Sequence, residues 1–192
     1  MSCKSCYQLL LSLNPAQPHC VVKFRSNYGD IDWDSTWKTL FFVPFKRKDL
    51  CWEVTLGVLY TAQRLVSFGL NVPPYCLCGH CDETLEHLFF HCPLDQSGLD
   101  WIQSLLFLSS PAITVRHVLF DFSSDELLCV PCVSCYLLSL LKFFVWSQRN
   151  DYRFRSKPAS AVGLIASIKG RLSFHLPLLF KRFRSRRLRC FF

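Results

Sequence analysis

Between positions 76 and 92 the chain reads CLCGHCDETLEHLFFHC, which sets Cys76, Cys78, Cys81 and Cys92 beside His80, His87 and His91. Thiolate sulfur and imidazole nitrogen are the donors that tetrahedral zinc takes in structural sites, usually as closely spaced pairs on a turn and a helix. From Cys78 the spacing is C-x2-C-x5-H-x4-C, running through Cys81, His87 and Cys92. Gly79, inside the first pair, permits a tight turn whose backbone N–H groups face metal-bound thiolates. Asp82 is a candidate N-cap, which puts His87 on a short helix, and Cys92 follows just before Pro93 stops the turn. The expected metal ligands are Cys78, Cys81, His87 and Cys92, with Cys76 as the alternative to Cys81, because a C-x-C pair chelates with more strain than C-x2-C. His80 and His91 are further donors. A hydrolytic zinc site keeps one coordination position open beside a base, whereas this cluster has ligands to spare, so the chemistry implied is structural.

No other constellation carries chemistry of comparable specificity. Cys129, Cys132 and Cys135 form a C-x2-C-x2-C series without a suitably spaced fourth cysteine, and at helical spacing they read as small buried thiols. Cys3 and Cys6 are an isolated pair. The carboxylate pair of a two-metal polymerase is missing, since YGDID keeps its two aspartates apart. No catalytic residue is assigned.

Charge is segregated along the chain. Residues 152–192 hold 11 basic and no acidic side chains, whereas residues 1–151 hold 11 basic and 14 acidic ones, so the net +8 belongs to the C-terminus. Such a segment attracts a polyanion with release of counterions, either nucleic acid or an anionic membrane surface. The expected nucleic-acid contacts are Arg153, Arg155, Lys169, Arg171, Lys181, Arg182, Arg184, Arg186, Arg187 and Arg189, with Phe183, Phe191 and Phe192 interleaved as stacking partners. The N-terminus, MSCKSCYQLLLSLNPAQP, has too short an apolar run for a signal peptide, which points to reduced thiols in the nucleus or cytoplasm.

The elements that must position these groups read as helices. Trp37, Leu40 and Phe41 recur at helical spacing and Pro44 ends that segment; a second helix carries Leu50, Trp52, Val54, Leu56, Leu59 and Leu65 until Gly69 closes it. Trp33, Trp37 and Trp52 are expected core anchors. NVPPYC then delivers an extended path to the cysteine cluster. DWIQSLLFL, RHVLFDFSSDELL, FFVWSQRNDYRF and ASAVGLIASIKGRLSF follow as helical segments, the last two separated by RSKP. Residues 127–146 are apolar with one internal charge at Lys142, which suits a buried helix pair and also has the length of a membrane span. The fold class is mainly α: a helical domain with a small irregular zinc-knuckle insert and a basic C-terminal tail. Its expected divisions are an extension over 1–30, the metal-binding domain over 31–110, a helical region over 111–175 and the tail over 176–192.

The block CGHCDETLEHLFFHCP resembles the zinc-binding region C-terminal to the reverse transcriptase of LINE-type non-LTR retrotransposons, whose pattern runs C-x2-C-G, E-T-x2-H, x4-C. Cys78-Gly79, Glu83-Thr84, His87 and Cys92 carry the match. The segment from Trp37 to Leu65 resembles the family's helical lead-in, and WSQRNDYRF, with Trp146, Arg149, Asn150 and Phe154, its downstream Arg-Asn signature. The likeness spans roughly residues 31–175. It departs in two places: only Leu77 separates Cys76 from Cys78, and the usual His-Gly of the lead-in reads Leu56-Gly57. The resemblance implies zinc as cofactor, nucleic acid (RNA or DNA) as partner, and a fragment without polymerase or endonuclease that could serve a retroelement polymerase in trans. Membrane association through residues 127–146, or a translated remnant without selected function, are the alternatives.

Overall fold

A computed structural model describes residues 45–106, 113–120 and 131–187, with side chains described over 47–106, 113–120 and 134–175. The expected helix at Trp37–Phe41, Trp33, the Cys3–Cys6 pair, Cys129 and Arg189 lie outside these residues. The mainly helical architecture read from the sequence is the one found. Helices α1 (Phe45–Thr55) and α2 (Ala62–Ser67) lead into the cysteine loop; a π-helical turn (His87–His91) and α3 (Pro93–Leu105) follow, then α4 (Val115–Phe120), α5 (Pro131–Arg155) and α6 (Ala161–Arg187).

The central element is α5, against which α1, α3, α6 and the π-helical turn all pack. From Ser134 to Lys142 every residue of α5 is buried, and Tyr136, Leu137, Leu138, Leu140 and Leu141 are fully so. A helix apolar all round belongs inside a protein or a bilayer. Here it is enclosed by Val54 of α1, Leu88 and Phe89 of the π-helical turn, Ile102 of α3, and Leu164 and Ile168 of α6. Each such side chain contributes about 1.5–3 kcal/mol on leaving water. The apolar run read at 127–146 is therefore, from Ser134 onward, part of the core. Among the described residues no helix is long and apolar enough to cross a membrane.

Two boundaries differ from the sequence reading for local reasons. The single helix expected from Leu50 to Leu65 is broken after Thr55, where Gly57 takes a φ of 66° and its N–H closes on the Val54 carbonyl at 3.0 Å. That conformation is open to glycine at little cost. Pro93, read as a stop, instead occupies the first turn of α3, where a missing N–H costs nothing.

Other punctuation falls where the sequence places it. Gly69, with φ 80°, ends α2: its N–H reaches the Val66 carbonyl at 2.9 Å and the Leu70 N–H reaches Leu65 at 3.1 Å, the paired bonds of a Schellman cap. Between α5 and α6, Gln148 clasps the Ser160 backbone, donating to its carbonyl and accepting from its N–H, both at 3.1 Å, while Ser160 Oγ accepts the Gly163 N–H. Gly98 lets α3 approach α5 closely; a Cβ there would stand 2.6 Å from Leu141 Cδ1.

Candidate metal centre

Pro73 and Pro74 bring the chain to a short hairpin in which Tyr75 pairs antiparallel with Asp82. The Cys76 N–H donates to the Cys81 carbonyl at 2.7 Å, and the Gly79 N–H closes a four-residue turn on the Cys76 carbonyl at 2.9 Å. Gly79 adopts φ 77°, which makes the turn tight. Cys76 and Cys78, two apart in this turn, thereby present their sulfurs to one point.

The second pair is set by a helical irregularity. Thr84, rather than the expected Asp82, caps the segment: its Oγ1 accepts the His87 N–H at 2.9 Å and its carbonyl the Leu88 N–H at 3.0 Å. The next turn is widened to π-helical form, with the Cys92 N–H donating to the His87 carbonyl at 2.7 Å. An i to i−5 bond stacks residues five apart, so an imidazole at 87 and a thiol at 92 lie on the same side, as an ordinary α-turn would not place them. Leu88 and Phe89, fully buried, fix this turn against the core, and Gln96 Nε2 satisfies the Phe90 carbonyl at 2.6 Å.

The two pairs converge. One ligand atom from each of Cys76, Cys78, His87 and Cys92 lies within 4.8 Å of every other, and Cys78 Sγ stands 3.4 Å from His87 Nε2. Zinc–sulfur and zinc–nitrogen bonds of about 2.3 and 2.0 Å at tetrahedral angles require ligand separations of roughly 3.5–3.8 Å, so the donor set fits zinc with little adjustment. Four protein ligands fill the tetrahedron. Cys81 is exposed and outside this cluster, where Cys76, the alternative, takes its place. The reason is the turn: Cys81 contributes its carbonyl to the hairpin while Cys76, buried, faces inward. His80 and His91 are exposed, and the ring of His91 rests edge-on against Phe90.

Electrostatics prepare one thiolate. A hydrogen bond from Cys76 holds the Cys92 thiol down at about 6 against the opposing effect of burial. The Leu94 and Asp95 N–H groups at the start of α3 face this sulfur without closing a cap hydrogen bond, and His87 assists. The same hydrogen bond, with burial, drives the Cys76 thiol far upward, so in the metal-free pair the proton resides on Cys76. Asp95 is buried with Oδ2 unpartnered; burial first, then the Cys92 and Cys78 charges, push its carboxyl well above the usual range.

A buried ion-pair cluster ties the metal loop to α5. Glu83 is fully buried. Its Oε1 accepts from the Ala62 N–H at 2.8 Å and from Arg149 Nη2 at 2.8 Å, and its Oε2 accepts from Arg153 Nη2 at 3.0 Å. Arg149 Nη2 also reaches the Tyr60 carbonyl at 3.2 Å, and Arg153 reaches the carbonyls of Pro73 at 3.1 Å and Tyr75 at 2.7 Å. Glu83 of the Glu-Thr motif and Arg149 of the Arg-Asn motif are thus direct partners, 66 residues apart. The sequence alone gives neither a role, although both lie in the segments that carry the family resemblance.

The expected nucleic-acid contacts divide accordingly. Arg153 is engaged within the clamp, its side chain only 13% exposed and its donors taken by Glu83 and the carbonyls of Pro73 and Tyr75, so it is a structural tie. Arg155 and Lys157 share Asp151 at the surface, at 2.7 and 3.4 Å. Lys169 is exposed, with Nζ 5.5 Å above the Trp101 ring, and Arg171 is exposed one turn of α6 from the core residue Ile168. Lys181, Arg182, Arg184, Arg186 and Arg187 continue α6 as its C-terminal end, so the basic run begins as helix.

A family model described as zinc-binding in reverse transcriptase matches residues 1–97. The match takes in all four clustered ligands and ends shortly after Cys92. No curated protein and no solved structure matches the chain. Because the match covers half of the 192 residues and contains a donor set shaped for tetrahedral zinc, the chain belongs to the family of zinc-binding domains of reverse transcriptases, a zinc-binding module of retrotransposon origin.

Proposed function

We propose that this zinc module is non-catalytic and grips nucleic acid, RNA or single-stranded DNA, through the basic C-terminal end of α6, with zinc holding the loop that braces the domain. The observation that carries the reading is charge segregation: residues 152–192 contain 11 basic and no acidic side chains, and those from 161 to 187 lie on one continuous helix. A helix so charged neutralises several phosphates at once and releases their counterions. A closed set of four protein ligands leaves no coordination position for a reacting water, which supports a structural metal. A retroelement polymerase acting in trans, in the nucleus or cytoplasm, is the partner this reading calls for.

The test is fluorescence anisotropy of a labelled single-stranded RNA with the full chain across a salt series. Each phosphate contact contributes a slope of about −0.7 in the logarithm of affinity against that of salt. Converting Lys181, Arg182, Arg184, Arg186 and Arg187 to Gln should flatten the slope by about three units and weaken binding at low salt. A wild-type affinity indifferent to salt, or a slope untouched by these changes, refutes the reading.

A further inference from the structure

Between Glu53 and Asp82 the chain carries a single Lys or Arg, Arg64, and no acidic residue. Tyr60, Arg64 and Phe68 follow at i, i+4 and i+8 across α2 and its two ends, and so share one side of it. The Arg64 guanidinium lies 5.5 Å from the centroid of the Tyr60 ring and 5.3 Å from that of Phe68. The two rings stand edge-on to each other with centroids 6.5 Å apart. Both are more than half exposed, at 58% and 57%, and Tyr75 on the metal hairpin is exposed to a similar degree.

These positions are held rigidly. The Schellman cap fixes Phe68, while Arg149 and Arg153, which share Glu83, grip the backbone carbonyls of Tyr60 and Tyr75 respectively. The clamp therefore places two of the exposed rings from one buried anchor. Phe154, next to Arg153 on α5, adds a fourth exposed ring. Flat apolar faces around the Arg64 cation, with no carboxylate between Glu53 and Asp82, complement a ligand that is itself planar, stackable and anionic; Asp82, exposed and paired with Tyr75, bounds the platform at the hairpin. Nucleotides meet all three requirements, and stacking on aromatic and guanidinium planes tolerates any base.

We infer that Tyr60, Arg64, Phe68 and Tyr75 form a stacking platform for the bases of single-stranded nucleic acid, a second contact surface beside the basic end of α6. The inference rests on the nucleic-acid reading above and assigns the platform a separate role: α6 takes phosphates, the platform takes bases. Single strands expose their base faces and duplexes do not, so the platform confers a preference for the unpaired form.

Anisotropy titrations of the zinc-loaded full chain against a single-stranded oligonucleotide and its duplex test this, with Tyr60→Ala, Phe68→Ala and the double variant. Both sites are at the surface, and retained zinc content and melting behaviour report intact folding. Each change should weaken single-strand binding at least about fivefold and leave the salt slope unaltered, because stacking releases no counterions. The double variant should also lose the preference for single strands. Variants that bind single strands as the wild type does, with the wild-type salt slope intact, overturn the platform and leave the α6 reading standing. Failure of the wild type to bind any oligonucleotide overturns both. A wild type that self-associates through these rings, with a monomeric double variant of unchanged oligonucleotide affinity, also overturns the platform and makes it a protein interface.

Discussion

Replacing Glu83 with Gln keeps the shape of the side chain and removes the charge at the centre of the clamp. In the native arrangement Arg149 donates to this carboxylate through Nε at 3.1 Å and Nη2 at 2.8 Å, and its side chain is only 3% exposed. With Gln at 83 the guanidinium stays buried, left with neutral acceptors alone: the Gln side-chain oxygen, the Tyr60 carbonyl and Asn150 Oδ1. Removing one partner of a buried ion pair costs about 3–5 kcal/mol, mainly for the charge left uncompensated. Arg153, nearer the surface, can turn to water, and its share is about 1 kcal/mol or less. The expected loss in the Glu83→Gln variant is therefore about 3–5 kcal/mol, read from urea unfolding of zinc-loaded protein. Adding Arg149→Met removes the stranded cation, so the double variant should recover part of that loss, with a coupling energy of about 2 kcal/mol or more. A loss below about 1 kcal/mol in Glu83→Gln, or strict additivity of the two changes, would refute the claim that this pair fastens the metal loop to α5.

Two further outcomes concern the metal centre. Cys76→Ser should abolish stoichiometric zinc in metal analysis of purified protein and forfeit most of the roughly 10 kcal/mol that structural zinc supplies to small knuckles, whereas Cys81→Ser should keep both metal and melting temperature; the reverse pattern would show that the hairpin turns the other way. The pH dependence follows from Cys92. Its depressed value of about 6 means that it is already ionised at neutral pH and yields no proton to solvent when zinc binds, but below about 6 it is protonated and must yield one. Calorimetry in buffers of different ionisation enthalpy should show the protons released on zinc binding increasing as pH falls through this region, and ultraviolet thiolate absorbance of metal-free protein should disappear over the same interval. Thiolate absorbance that is lost only near the ordinary cysteine range would refute the shift.

The sequence by itself determined the features set by local chemistry. Cysteine and histidine spacing revealed a zinc site, Gly69 the end of α2, RSKP the break between α5 and α6, and the charge count the basic terminus. Each depends on neighbours within a few positions, where residue type restricts backbone angle or donor chemistry directly. Tertiary structure decided the rest. Cys76 and Cys81 are both close enough to Cys78 to chelate, and the choice fell on the one whose side of the hairpin faces the core. The π-helical widening that aligns His87 with Cys92 depends on Leu88 and Phe89 being anchored by other helices, which no local pattern encodes. Whether residues 134–146 lie in a core or a bilayer is the same question of surroundings, answered here by α1, α3 and α6. Arg153 illustrates the limit most directly: sequence counts its charge, but the carboxylate and carbonyls that occupy its donors come from residues 70 to 80 positions away, brought there only by the fold.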